Sequence, residues 1–141
     1  MRAESFFNFA DYIDELAKDD GRILDAYGGK SLHAQSHGES FLSLFINQFD
    51  RGIYILDEPE AALSPNRLMT FMSIINQLEC SEKAQFLIAT HSPMLLCYPG
   101  ADIFSFTEDG LEKVSYEETQ HYQLTRSFLE NPESYFRHLF Q

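Results

Sequence analysis

The chain has 141 residues and a formal net charge of −12, with 44% apolar residues that include 13 Phe and 7 Tyr. That is enough for one domain with a sizeable core, expected to span residues 1–141, and it excludes wholesale disorder. The acidic balance argues against nucleic acid and against an anionic membrane surface, both of which need a basic face. Two cysteines, Cys80 and Cys97, make neither a disulfide scaffold nor a four-ligand zinc site.

Residues from about Ser5 to Lys18 read as an amphipathic helix, with Phe6, Ala10, Ile13 and Ala17 on one face and Gly21 ending it. The stretch Asp25 to Gln35, with Gly28 and Gly29, reads as a loop. A helix is expected from near Gly38, because Phe41, Leu42, Phe45, Ile46 and Phe49 recur at helical spacing. The period then changes. Gly52 to Asp57 is a short continuous apolar run, the mark of a strand buried on both faces. Ser64-Pro65 offers an N-cap and a first-turn proline for a helix carrying Leu68, Phe71, Met72, Ile75 and Leu78. Phe86 to Thr90 is a second buried strand. Asp102–Phe106 and Leu111–Ser115 flank Glu108-Asp109-Gly110 as a hairpin, and Asn131-Pro132 opens a last helix. Strand–helix–strand alternation in the middle predicts an α/β fold with parallel strands. No apolar run approaches the roughly 20 residues of a membrane helix, and Met1-Arg2-Ala3-Glu4 begins no signal peptide. A soluble, cytoplasmic chain with no direct membrane contact is expected.

Three segments carry chemistry. The run Ile53 to Leu56 ends in Asp57 and Glu58, two adjacent carboxylates at the C-terminal edge of a strand, where α/β sheets bind ligands. Adjacent carboxylates repel, and a bound Mg²⁺ would reconcile them; a solvated acidic turn ahead of Pro59 is the plainer alternative. Ser36-His37-Gly38-Glu39 has the spacing of a capping box, and the same geometry makes a hydroxyl and backbone N–H groups available to an anion. His91 directly follows the second strand, where an imidazole can donate to a phosphate oxygen or simply begin a loop. His33, His37, His121 and His138 show no metal-ligand spacing. Gly29-Lys30-Ser31 imitates the end of a phosphate-binding loop, but Leu24 stands where its first glycine belongs and no buried strand precedes it.

Taken in order, these segments resemble the C-terminal half of an ABC-type ATPase domain, and more closely the AAA-type ATPases outside the transporters. The resemblance covers about residues 30–95. It matches Gln35 to Glu39 to the signature motif, Ile53 to Glu58 to Walker B, Glu60 to Ser64 to the D-loop and His91 to the switch histidine. It implies a parallel-sheet P-loop core, incomplete here, with a helical portion before it and a hairpin plus helices after it. It implies ATP and Mg²⁺ as cofactors, Asp57 organising the metal, Glu58 as general base and His91 on the γ-phosphate. Ser36, Gly38 and Glu39 would contact the nucleotide of an opposing subunit in a homo- or heterodimer. Three departures matter: His37 replaces the usual second signature residue, Ser64 stands where transporters commonly have Asp, and no Walker A or glutamine loop precedes the signature. The expected partner is therefore the missing N-terminal half or a complete ATPase subunit, and Arg2 to Phe6 reads like mid-domain sequence. Alone, the chain is expected to bind ATP weakly or not at all. Two further readings remain: a non-catalytic module that lends its signature surface to a complete ATPase, and a plain α/β domain whose motifs are relics.

Overall fold

The computed structural model describes residues 3–27, 29, 31 and 37–140. The chain divides into two compact units, residues 1–90 and residues 91–141.

The first unit opens with helix α1 (Ala3–Asp19), which buries Ala10 and Ile13 as its apolar spacing requires. The helix ends at Asp19, just before Gly21, and Gly21 begins a 3₁₀ turn, Gly21–Tyr27, which takes in the first residues of the expected loop; residues 28, 30 and 32–35 of that loop lie outside the described residues. Tertiary contacts explain the difference. The Tyr27 ring is buried edge-on to Phe9, with centroids 6.2 Å apart, and the Tyr27 carbonyl accepts from Ser43 Oγ at 2.9 Å. Helix α2 (His37–Gln48) starts where the periodicity places it and buries Phe41, Leu42, Leu44 and Phe45.

Strand β1 (Gly52–Asp57), helix α3 (Pro65–Cys80) and strand β2 (Ala84–Ala89) form a strand–helix–strand unit. The strands pair in parallel, Gly52 opposite Ala84 through to Asp57 opposite Ala89. This is the expected parallel pair, in a sheet of two strands among the described residues. The core lies between it and the helices. Phe45 and Phe71 meet edge to face at 4.8 Å, Phe41 lies 4.8 Å from Phe45, and Leu56, Leu68, Ile74 and Ile75 are buried around them. Tyr54 stacks between Phe49 at 4.0 Å and Phe86 at 5.4 Å.

The expectation that β1 is buried on both faces is corrected. Tyr54 and Leu56 turn toward the helical core, whereas Ile53, Ile55 and Leu87 remain 72%, 64% and 63% exposed. Side chains alternate across a strand, and this unit supplies helices to one face only. The Ser64 side chain likewise makes no cap bond; Pro65 alone marks the start of α3.

The second unit contains a short helix α4 (Pro93–Leu96), then the hairpin β3 (Ile103–Thr107) and β4 (Gly110–Val114), paired with Thr107 opposite Gly110 as the turn chemistry predicts. Gly110 takes φ 128°, which a side chain rarely tolerates. Helix α5 (Gln120–Glu130) is capped by Thr119, whose hydroxyl accepts from Tyr122 N. Helix α6 (Pro132–Leu139) is capped by Asn131, whose side chain accepts from Ser134 N, as the Asn-Pro pair implies. Among the described residues no helix is long and apolar enough to cross a membrane.

Candidate functional site

The site is built from the end of β1 outward. Parallel pairing carries the backbone to Asp57, which is half-buried, and one further ladder bond follows as Glu58 N donates to Ala89 O at 2.9 Å. Glu58 is exposed and sits at φ 47°, ψ 53°, in the left-handed region. A side chain there costs about 1–2 kcal/mol, so the turn that presents this carboxylate is held by its surroundings rather than by its own preference. Those surroundings are visible. Buried Pro59 starts a 3₁₀ turn, Pro59–Ala62, directly after Glu58. Thr90, the residue after β2, donates from Oγ1 to Glu60 Oε1 at 2.6 Å and ties that turn to the neighbouring strand end.

The start of α2 meets the same turn. Gly38 is buried, and a Cβ built there would lie 2.7 Å from Arg67 Cδ, 2.9 Å from Arg67 Nη1 and 3.1 Å from the Ala62 carbonyl. A side chain here would force Arg67 to move and crowd the Ala62 carbonyl, so close packing against α3 and the 3₁₀ turn already accounts for the glycine. Glu39 is exposed and pairs with Arg67 at 2.9 Å. Arg67 thus joins the segment that resembles a signature motif to the one that resembles a D-loop. Sequence reasoning did not single it out, and an arginine on the first turn of α3 carries no signal that would have done so. Ser36 lies outside the described residues.

His91 opens the second unit. Its Nδ1 is 3.1 Å from His121 Nε2, with ring centroids 4.8 Å apart. No local pattern pairs them, since 29 residues and a hairpin intervene. The structure therefore brings Asp57 and Glu58 together at one strand end, and Gly38 and Glu39 together on Arg67, and gives His91 a partner in His121.

The donor chemistry at β1 suits a hard cation. Mg²⁺ is held by one or two carboxylates together with substrate phosphates and water, and Asp57, half-buried beside an exposed Glu58, can provide that protein share. No group of three or more His, Cys, Asp or Glu among the described residues could hold a metal by itself. A cation here would need phosphate oxygens to complete its shell.

Comparison with known proteins bears on the same stretch. Residues 33–96 match the family described as "AAA domain, putative AbiEii toxin, Type IV TA system". No curated protein and no solved structure matches the chain. The matched residues run from before α2 through α4 and contain Ser36, Gly38, Glu39, Asp57, Glu58 and His91. The likeness supports an AAA-type, P-loop-related domain, a class whose members generally bind ATP and Mg²⁺.

Proposed function

We propose that this chain is the C-terminal portion of an ABC-type ATPase module, with Asp57 as the metal-organising carboxylate and Glu58 as the general base. The observation that carries the reading is the end of β1: an apolar strand in a parallel pair delivers two carboxylates, one of them on a left-handed backbone, to the edge where such sheets act on ligands. Mg²⁺, when bound, neutralises charge on the phosphates. Glu58 takes the proton of the attacking water as its oxygen bonds to the γ-phosphorus and the bond to the departing ADP oxygen breaks. His91 donates a hydrogen bond to a γ-phosphate oxygen. Ser36, Gly38 and Glu39 serve the nucleotide of an opposing subunit.

The sequence contains no G-x-x-x-x-G-K-[ST]. That loop supplies backbone N–H groups and a lysine to the phosphates, and two carboxylates repel a triphosphate where no cation screens them. The same absence favours one alternative, in which the chain lends its signature segment to a complete ATPase subunit without turning over nucleotide itself. Calorimetric titration of the chain with MgATP is expected to show weak binding, in the millimolar range or above, and no phosphate release. Supplying a phosphate-loop segment, in one chain or as a separate fragment, should restore Mg²⁺-dependent hydrolysis. Glu58→Gln in the restored protein should then abolish turnover and leave ATP bound. Micromolar binding by the chain alone overturns the half-module reading, and full activity of the Glu58→Gln protein removes the base. Restored binding without hydrolysis in the unmodified protein favours the non-catalytic alternative.

A further inference from the structure

We infer that His121 is a positioning residue for His91, donating from its Nε2–H to His91 Nδ1 and so holding His91 as the tautomer whose Nε2 carries the proton. The inference rests on the phosphate role proposed for His91 and adds a residue to it. Two neutral imidazoles in contact at 3.1 Å share one proton along that line, because each ring has one donor and one acceptor nitrogen. If His91 donates, its Nε2 is an acceptor, and a phosphate oxygen, itself an acceptor, cannot use it. If His121 donates, His91 Nε2–H is a donor and the phosphate contact is possible. The ring nitrogen opposite the functional one sets the tautomer, as it does for metal-bound and catalytic histidines.

The pair stands on local structure. His121 lies in the first turn of α5, and Thr119, buried and accepting from Tyr122 N, caps that turn and fixes its direction. Tyr122 in turn meets the Tyr116 ring at 4.5 Å. His91 immediately precedes Ser92, whose carbonyl accepts from Leu95 N and Leu96 N at the start of α4, and Leu95 is buried. Both rings are exposed, but the backbone that carries each is anchored within the same unit. A chance meeting of two mobile side chains would not need either anchor.

The test is nitrogen-15 NMR of the histidine rings in the full chain, at a pH above the ordinary imidazole range, for the wild type, His121→Ala and His121→Gln. Glutamine keeps a side-chain N–H donor near the position of the imidazole Nε2. His91 should be in the Nε2–H form in the wild type and in His121→Gln. In His121→Ala the ratio of Nε2–H to Nδ1–H should fall about fivefold, the factor supplied by one net hydrogen bond. In the protein restored with a phosphate-loop segment, MgATP should shift the His91 ring signals in the wild type and in His121→Gln, and shift them less in His121→Ala. A His91 tautomer indifferent to His121 overturns the positioning role and leaves the phosphate role standing, whereas an Nδ1–H form in the wild type overturns the positioning role and also denies Nε2 the proton that the phosphate contact needs. A tautomer that follows His121 while MgATP leaves the His91 signals of the restored wild type unmoved overturns the phosphate role, and with it the purpose given to the positioning.

Discussion

Replacing Glu58 by alanine and, separately, by glycine tests the strain at the end of β1 apart from the chemistry of its carboxylate. Both substitutions delete the same side chain and every contact it makes, and both leave the backbone N–H that donates to Ala89 O at 2.9 Å. What differs between them is the cost of φ 47°, ψ 53°. Alanine pays about 1–2 kcal/mol for the left-handed region, and glycine does not. Glycine loses about 0.5–1 kcal/mol more chain entropy on folding. The glycine variant should therefore be the more stable of the two by about 0.75 kcal/mol, the difference of the mid-values of those two terms. At an ordinary extended position the sign is opposite. Urea unfolding of the two variants side by side, with equal slopes, reads the difference directly, and melting should separate them by roughly 2–4 °C. A glycine variant equal to or less stable than the alanine variant refutes the strain. Neither variant retains the proposed base, so stability at this position is gained independently of function.

Gly38→Ala should cost about 1 kcal/mol in denaturant unfolding, the low end for overpacking, because flexible Arg67 can retreat while the Ala62 carbonyl cannot. Adding Arg67→Ala should recover part of that loss, and strict additivity of the two changes would deny the contact. In the second unit, Ser115 N and Ser115 Oγ both donate to Glu118 Oε2 at 2.8 Å, and these bonds, the backbone one foremost, hold the Glu118 carboxyl below its ordinary range. A lowered folded pKa contributes stability above the unfolded glutamate value, and that stability is lost as the pH falls through the folded one. Glu118→Gln should flatten this part of the acid limb of a melting-temperature profile, and an unchanged profile would show that the carboxylate does not hold the turn.

Local signals told most about the middle of the chain. The β-branched run ending in Asp57, the Pro65 helix start and the Glu108-Asp109 turn each depend on a few neighbouring residues, and each appears where the pattern puts it. Burial of β1 on both faces did not follow, since an apolar run says that a strand can be covered twice and not that this unit supplies both layers. Asp25 to Tyr27, the end of the 3₁₀ turn, carry a loop pattern because the two partners that organise them, Phe9 and Ser43, are distant. At the candidate site the sequence identified Asp57 and Glu58 by type and order. The left-handed backbone at Glu58, the Arg67 bridge and the His91–His121 contact arise from tertiary geometry that no local window contains.

The parallel pairing also has a consequence in time. An antiparallel partner can fold back after a two-residue turn, but β1 must wait for the whole of α3 to be made before Ala84 can come opposite Gly52. At ribosomal elongation rates that interval is on the order of seconds, during which an apolar strand has no neighbour to pair with. Docking of β2 ends the wait at one edge of β1. Ile53 and Ile55 stay exposed on the finished unit, so a chaperone that recognises extended apolar segments would meet the same residues before folding and after it.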